Sequence, residues 1–136
     1  MVTFVGTTPA LPSRDVGRSI EFYRGVLGFE VVHHDGDFAV LERDAARLNL
    51  WGATDESWRE KLDPERPVCS GAESFIAGTA SCRVQVNGGV DELYESCAEK
   101  GVVHPKAHLE DTWWGTREFG VLDPDGNLVS LYEVRS

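Results

Sequence analysis

Two stretches of the chain repeat the same order of apolar and polar positions. Phe38-Ala-Val-Leu-Glu-Arg-Asp-Ala-Ala-Arg-Leu-Asn-Leu-Trp51 aligns without a gap on Phe119-Gly-Val-Leu-Asp-Pro-Asp-Gly-Asn-Leu-Val-Ser-Leu-Tyr132, with Phe, Val, Leu, Asp and Leu recurring in place. In the second stretch Asp123-Pro-Asp-Gly-Asn127 carries turn chemistry, because proline presets φ while glycine and asparagine tolerate positive φ. Each stretch predicts a β-hairpin. A helix is expected before each one. Val16, Ile20, Tyr23 and Leu27 form an apolar stripe that opens at a capping Asp15 and stops at Gly28. Val90, Leu93, Tyr94 and Cys97 form the matching stripe, which stops at Gly101.

Strands are expected upstream of the helices, from Val2 to Leu11 and from Thr79 to Val86, and downstream at Glu30 to His33 and Val102 to Val103. The pattern is an α+β fold of two tandem βαβββ modules. Module one covers about residues 1–52, a linker about 53–78 and module two about 79–136. The linker holds Asp63-Pro-Glu-Arg-Pro67 and a short helix expected around Trp58. Gly28 and Gly101 are 73 residues apart but the hairpins are 81 apart, so module two carries about 8 additional residues near His104 to Asp111. A three- or four-stranded sheet cannot cover its own face, so the modules are expected to pack into a cup, the default place for a ligand.

At 136 residues the chain is one domain with room for a single core. No apolar run reaches bilayer length, which points away from a membrane, and the N-terminal residues lack a secretion-signal pattern, which points to the cytoplasm. Cys69, Cys82 and Cys97 are odd in number and show no C-x-x-C spacing, as expected of reduced thiols. Thirteen basic and 23 acidic side chains give a net charge of −10 without a Lys/Arg cluster, which argues against nucleic acid; the acidic surface either draws cationic ligands or simply keeps the protein soluble.

Leu11-Pro-Ser-Arg-Asp15, Phe22-Tyr23, Leu27-Gly28-Phe29 and Asp123-Pro-Asp-Gly-Asn127 resemble the vicinal-oxygen-chelate, or glyoxalase-like, superfamily. The resemblance covers nearly the whole chain. Pro9 with the Leu-Pro-Ser-Arg-Asp that follows, Asp37-Phe38-Ala39 and Trp114-Gly115-Thr116-Arg117-Glu118-Phe119 are most similar to the bleomycin-resistance branch. The resemblance implies a homodimer whose pockets lie at the shared interface, with the N-terminal strand exchanged and Pro9 as its hinge. Enzymes of the superfamily hold a divalent metal with a His on the first strand of each module and a Glu on the last. The corresponding positions here are Thr8, Ala80 or Ser81, Asn49 and Ser130, so the expectation is no metal and no cofactor.

The aromatic residues Phe38, Trp51, Trp113, Trp114 and Phe119 cluster in or beside the hairpins, where a ring either fills the core or stacks a flat ligand. Trp113 and Trp114, if on a strand, point to opposite faces. With Asp37, Asn49 and Arg117 they form the expected ligand-binding set, suited to a planar, cationic small molecule. Asp35, Glu110, Asp111 and Glu118 add carboxylates nearby in sequence. His33 and His34 alternate across a strand and cannot both serve one site, and His104 and His108 flank Pro105, which opposes a helix. No G-x-G-x-x-G, P-loop, H-E-x-x-H or G-x-S-x-G motif occurs. The expectation is a metal-independent protein that sequesters a bleomycin-like glycopeptide drug. Two competing readings are a metal enzyme of the same fold using His33, His104 or Glu118, and a module that binds an endogenous metabolite.

Overall fold

The computed structural model describes residues 1–53 and 77–135. The expected linker helix near Trp58, the Asp63 to Pro67 segment and Cys69 lie outside the described residues. In chain order the elements are β1 (Ala10–Ser13), α1 (Val16–Leu27), β2 (Glu30–Asp35), β3 (Phe38–Arg43), β4 (Ala46–Gly52), β5 (Ser81–Gln85), α2 (Val90–Glu99), β6 (Glu110–Asp111), β7 (Thr116–Leu122) and β8 (Leu128–Val134). They form two four-stranded sheets of one topology, β1-β4-β3-β2 and β5-β8-β7-β6. In each, the first strand runs parallel to the last and the remaining pairs are antiparallel.

Local chemistry sets the ends of α1. The Asp15 carboxylate accepts from the Arg18 amide at 3.1 Å, and Gly28 takes the left-handed φ of 70° that closes a helix without a Cβ penalty. The Arg43 guanidinium then donates to the Leu27 carbonyl at 2.7 Å. Helix α2 begins at Gly89, which has no side chain to offer. Its first amide, on Val90, is met at 3.4 Å by the Glu133 carboxylate of β8, so the sheet supplies the negative charge that the helix start favours.

Both helices and one face of each sheet share a single core. Leu11, Leu41, Leu48 and Leu50 of sheet one and Phe119, Val121, Val129 and Leu131 of sheet two pack with Ile20, Tyr23, Val90 and Cys97. Burying each large apolar side chain contributes roughly 1.5–3 kcal/mol before entropy is counted.

Asp123-Pro-Asp-Gly-Asn127 is more than a turn. Asp123 accepts from the Asp125 and Asn127 amides and from Tyr23 Oη. Asp125 accepts from the Arg14 amide and from Ser19 Oγ. Asn127 donates to the Pro12 carbonyl at 2.7 Å and accepts from the Gly78 and Ala80 amides. The hairpin turn of module two is thereby bolted into β1 and α1 of module one.

Two expected strands are corrected. The first does not begin at Val2. Pairing starts at Ala10, the Pro9 carbonyl still accepts from the Asn49 amide at 2.9 Å, and upstream Val2, Phe4 and Val5 are 84–97% exposed. Among the described residues no strand pairs with them. In module two, Val102 and Val103 give only one bridge, Val103 to Val121. The paired edge is β6, inside the stretch expected to be inserted. Between them the chain crosses Gly120, where the His104 amide donates to the Gly120 carbonyl and the Gly120 amide to that of Ala107.

Candidate functional site

Each sheet turns one face to the helices, and its other, helix-distal face is left free of them. In module one β3 and β4 pair Phe38 with Trp51, Val40 with Asn49 and Glu42 with Arg47 on that face. The Phe38 and Trp51 rings meet edge to face at 5.9 Å and 85°, both half-buried. Beside them Asn49 Oδ1 is buried and has no hydrogen-bond partner, a costly state for an amide oxygen and one that a ligand donor would relieve. Asp37 occupies the exposed β2–β3 turn, its carbonyl accepting from the Gly52 amide at 2.6 Å. His33 pairs with Val40 and shares the face of Phe38, 6.3 Å from that ring, whereas His34 pairs with Ala39 of the core face.

Module two differs because its hairpin turn is longer. Asp44 and Ala45 close the first hairpin, with Arg43 opposite Ala46. The five residues Asp123 to Asn127 close the second, with Leu122 opposite Leu128. Relative to the ungapped repeat, β7 therefore slips by one residue against β8, and a one-residue slip exchanges the faces of a strand. Phe119, aligned in sequence with Phe38, is opposite Leu131 in the core, 2% exposed and packed edge to face on Tyr94 of α2. Arg117 goes with it, donating to Asp91 of α2 at 2.8 Å and to Asp111 at 3.2 Å. The structure thus places both expected ligand-binding residues on the helix side, their contacts taken.

The residue that stands where Phe38 does is Glu118, opposite Tyr132. Arg83 of β5 donates to both Glu118 oxygens at 3.3 and 2.9 Å and lies 4.3 Å over the Tyr132 ring. Thr116 Oγ1 adds a 2.7 Å bond to Glu118. These donors hold the Glu118 carboxyl below the usual carboxylate range, with Arg83 the larger cause. Arg83 and Tyr132 are not among the expected ligand residues. The length of the Asp123 to Asn127 turn is a sequence signal for Glu118 facing Tyr132, whereas Arg83 joins them only through the pairing of β5 with β8.

Trp113 and Trp114 are not on a strand. They form the turn between β6 and β7, packed edge to face on each other at 5.5 Å, 92% and 52% exposed, so strand alternation does not assign their directions. A separate cleft of about 710 Å³ opens between the modules. It is lined by Leu27, Phe29 and Arg43 to Ala46 on one side and by Val84 to Gly89, Glu92, Leu93 and Leu131 on the other. None of the expected ligand residues lines it. Among the thiols, burial and the nearby Asp123 push Cys82 up to about 11, and burial raises Cys97, so both are held as thiols.

Residues 7–131 match the family model described as the glyoxalase/bleomycin resistance protein/dioxygenase superfamily. The chain belongs to this superfamily. It is 52% identical over 125 residues, 92% of this chain and 93% of the relative, to a bleomycin resistance protein of Geobacillus stearothermophilus. Among solved structures it is similar to a bleomycin-binding protein from Streptomyces verticillus complexed with copper(II)-bleomycin. That match has a TM-score of 0.68 and 26% identity and covers 100% of this chain and 99% of the other. It is also similar to a bleomycin-binding protein complexed with bleomycin, with a TM-score of 0.66, 27% identity and coverage of 96% and 98%.

The metal positions of superfamily enzymes do not fit a cation here. Asn49 and Ser130 offer a neutral amide and a hydroxyl, Ser81 is exposed and Thr8 sits on the unpaired N-terminal arm. A divalent ion wants imidazole or carboxylate donors, which these positions lack. Elsewhere His104 Nδ1 accepts from the Lys106 amide, and His108 Nδ1 meets Tyr94 Oη at 3.1 Å.

Proposed function

We propose that this cytoplasmic protein binds a bleomycin-type glycopeptide antibiotic stoichiometrically and releases it unchanged, so that protection comes from sequestration. The observation that carries this reading is the helix-distal face of module one, where the Phe38–Trp51 pair adjoins the unpartnered Asn49 oxygen, in a chain half identical to a bleomycin resistance protein. Flat rings stack on the aromatic side chains, Asn49 accepts a ligand N–H, and Asp37 with the −10 net charge favours a cationic drug. In this reading Trp113 and Trp114, exposed at their turn, offer further stacking surfaces. Because each site withholds one molecule, the mechanism needs tight binding rather than turnover.

A homodimer is part of this reading. The N-terminal arm leaves its own sheet at Pro9, the β4 edge at Ala46 to Leu48 has no β1 partner, and β5 lies at the end of its sheet. The cleft between these edges suits an apolar strand from a partner chain, with Pro9 as the hinge. Calorimetric titration with bleomycin tests the proposal, with saturation near one drug per chain, intact drug recovered by mass spectrometry and a dimer in sedimentation as the expected results. No heat and no saturation would remove the drug-binding reading, and a monomer at micromolar concentration would remove the exchanged arm.

A further inference from the structure

The Arg83 cluster lies outside the aromatic set and is too well tied to be a casual surface pair. Glu118 grips the guanidinium along one edge with both carboxylate oxygens, which fixes its plane. Tyr132 lies under one flat side at 4.3 Å, and Tyr132 Oη is itself anchored on Gln85 at 3.3 Å. Thr116 holds Glu118 from behind, and the Glu118 side chain is only 16% exposed. The Arg83 side chain stands on the helix-distal face of module two and is 46% exposed, with Tyr132 against one side of its guanidinium. An immobilised guanidinium loses little entropy when a ring stacks on it, and pairing with Glu118 offsets the charge that would repel a cationic ligand.

We propose that Arg83, backed by Tyr132 and held edge-on by Glu118, is a stacking surface that selects a planar heteroaromatic ring on the ligand. The ring, the guanidinium and the tyrosine form three layers. This half of the site reads flatness, and the cationic part of the ligand is left to the carboxylates elsewhere. The inference deepens the drug-binding proposal and rests on it for the natural ligand, but the stacking chemistry can be scored separately.

Bleomycin and thioflavin T, a planar thiazole-containing cation, are titrated into the wild-type protein and its Arg83→Ala, Arg83→Lys and Arg24→Ala variants. Arg24 sits on α1, 54% exposed, and controls for loss of one positive charge. Both Arg83 variants are expected to bind about fivefold or more weakly, and Arg24→Ala to stay within about twofold of wild type. Lysine keeps the charge and loses the plane, so wild-type affinity in Arg83→Lys overturns the stacking role, as does wild-type affinity in Arg83→Ala. If thioflavin T binds in an Arg83-dependent way and bleomycin does not bind at all, the stacking surface stands and the antibiotic reading falls. If the wild type binds neither, both fall.

Discussion

Tyr23 Oη donates to the Asp123 carboxylate at 2.8 Å, joining α1 of module one to the hairpin turn of module two across 100 residues of sequence. Tyr23 is fully buried and Asp123 is 5% exposed, so neither group has water to fall back on. Removing one partner of such a bond costs more than the bond contributes, because the other is left unpaired. Asp123 Oδ2 retains only Asn127 Nδ2, at 3.0 Å, if the hydroxyl goes.

Tyr23→Phe is therefore expected to lower unfolding stability by about 1.5–3 kcal/mol, read from the denaturant midpoint with unchanged m. Unchanged stability would mean that Asn127 Nδ2 alone satisfies Asp123 Oδ2.

The same environment sets an alkaline limit. Burial, then the neighbouring Asp123 charge, raise the Tyr23 hydroxyl far above the ordinary tyrosine range. The folded chain keeps a proton that the unfolded chain releases near pH 10, so this group's contribution is whole below that pH and declines as pH rises above it. In an absorbance titration at alkaline pH, the Tyr23 signal, taken as wild type minus Tyr23→Phe, should appear only together with loss of the circular dichroism signal. Ionisation of Tyr23 in a folded chain would contradict the burial argument.

Phe119 and Trp114 lie five positions apart and should respond oppositely to alanine. Phe119→Ala removes a core ring and is expected to cost about 3–5 kcal/mol, with affinity changed only through folding. Trp114→Ala should change stability by about 1 kcal/mol or less while weakening bleomycin binding several-fold. Melting temperature and affinity measured on both variants separate the roles. Unchanged affinity in a folded Trp114→Ala protein would pass the stacking role to Trp113 or Trp51.

Glu118 is held below the ordinary carboxyl range by Arg83, so its contribution to stability is present above the unfolded Glu value near 4.3 and is lost as pH falls through its lower folded value. Thermal melts from pH 7 downward should show Glu118→Gln less stable than wild type at neutral pH, with the gap closing in acid. A gap independent of pH would show that the ion pair contributes nothing.

Gly120 has no room for a side chain. A Cβ there would lie 2.8 Å from Leu128 Cδ1 and 3.0 Å from Ala107 Cβ, and Ala107 is tied to Gly120 through the backbone. Gly120→Ala is expected to cost about 1–3 kcal/mol and to speed amide exchange from His104 to Ala107. Protection equal to wild type would show that the crossing adjusts freely.

The sequence by itself determined the paired α+β modules. The helix stripes at Val16 to Leu27 and Val90 to Cys97, the Asp15 cap, the Gly28 stop and the two hairpins are local matters of periodicity and turn chemistry, and each is where those signals put it. It also singled out Phe38, Asn49 and Trp51, which share one face because the two-residue turn keeps β3 and β4 in the simple register. Tertiary structure alone decided three things. It paired β7 one residue out of the repeat, because Asp123 to Asn127 is a five-residue turn, and so sent Phe119 and Arg117 to the helices and Glu118 to the face of Tyr132. It made the same turn a bolt between modules, since the partners of Asp123, Asp125 and Asn127 lie about a hundred residues upstream. It also brought Arg83 over Tyr132 by a parallel pairing of β5 with β8, a contact between distant strands that no local pattern encodes.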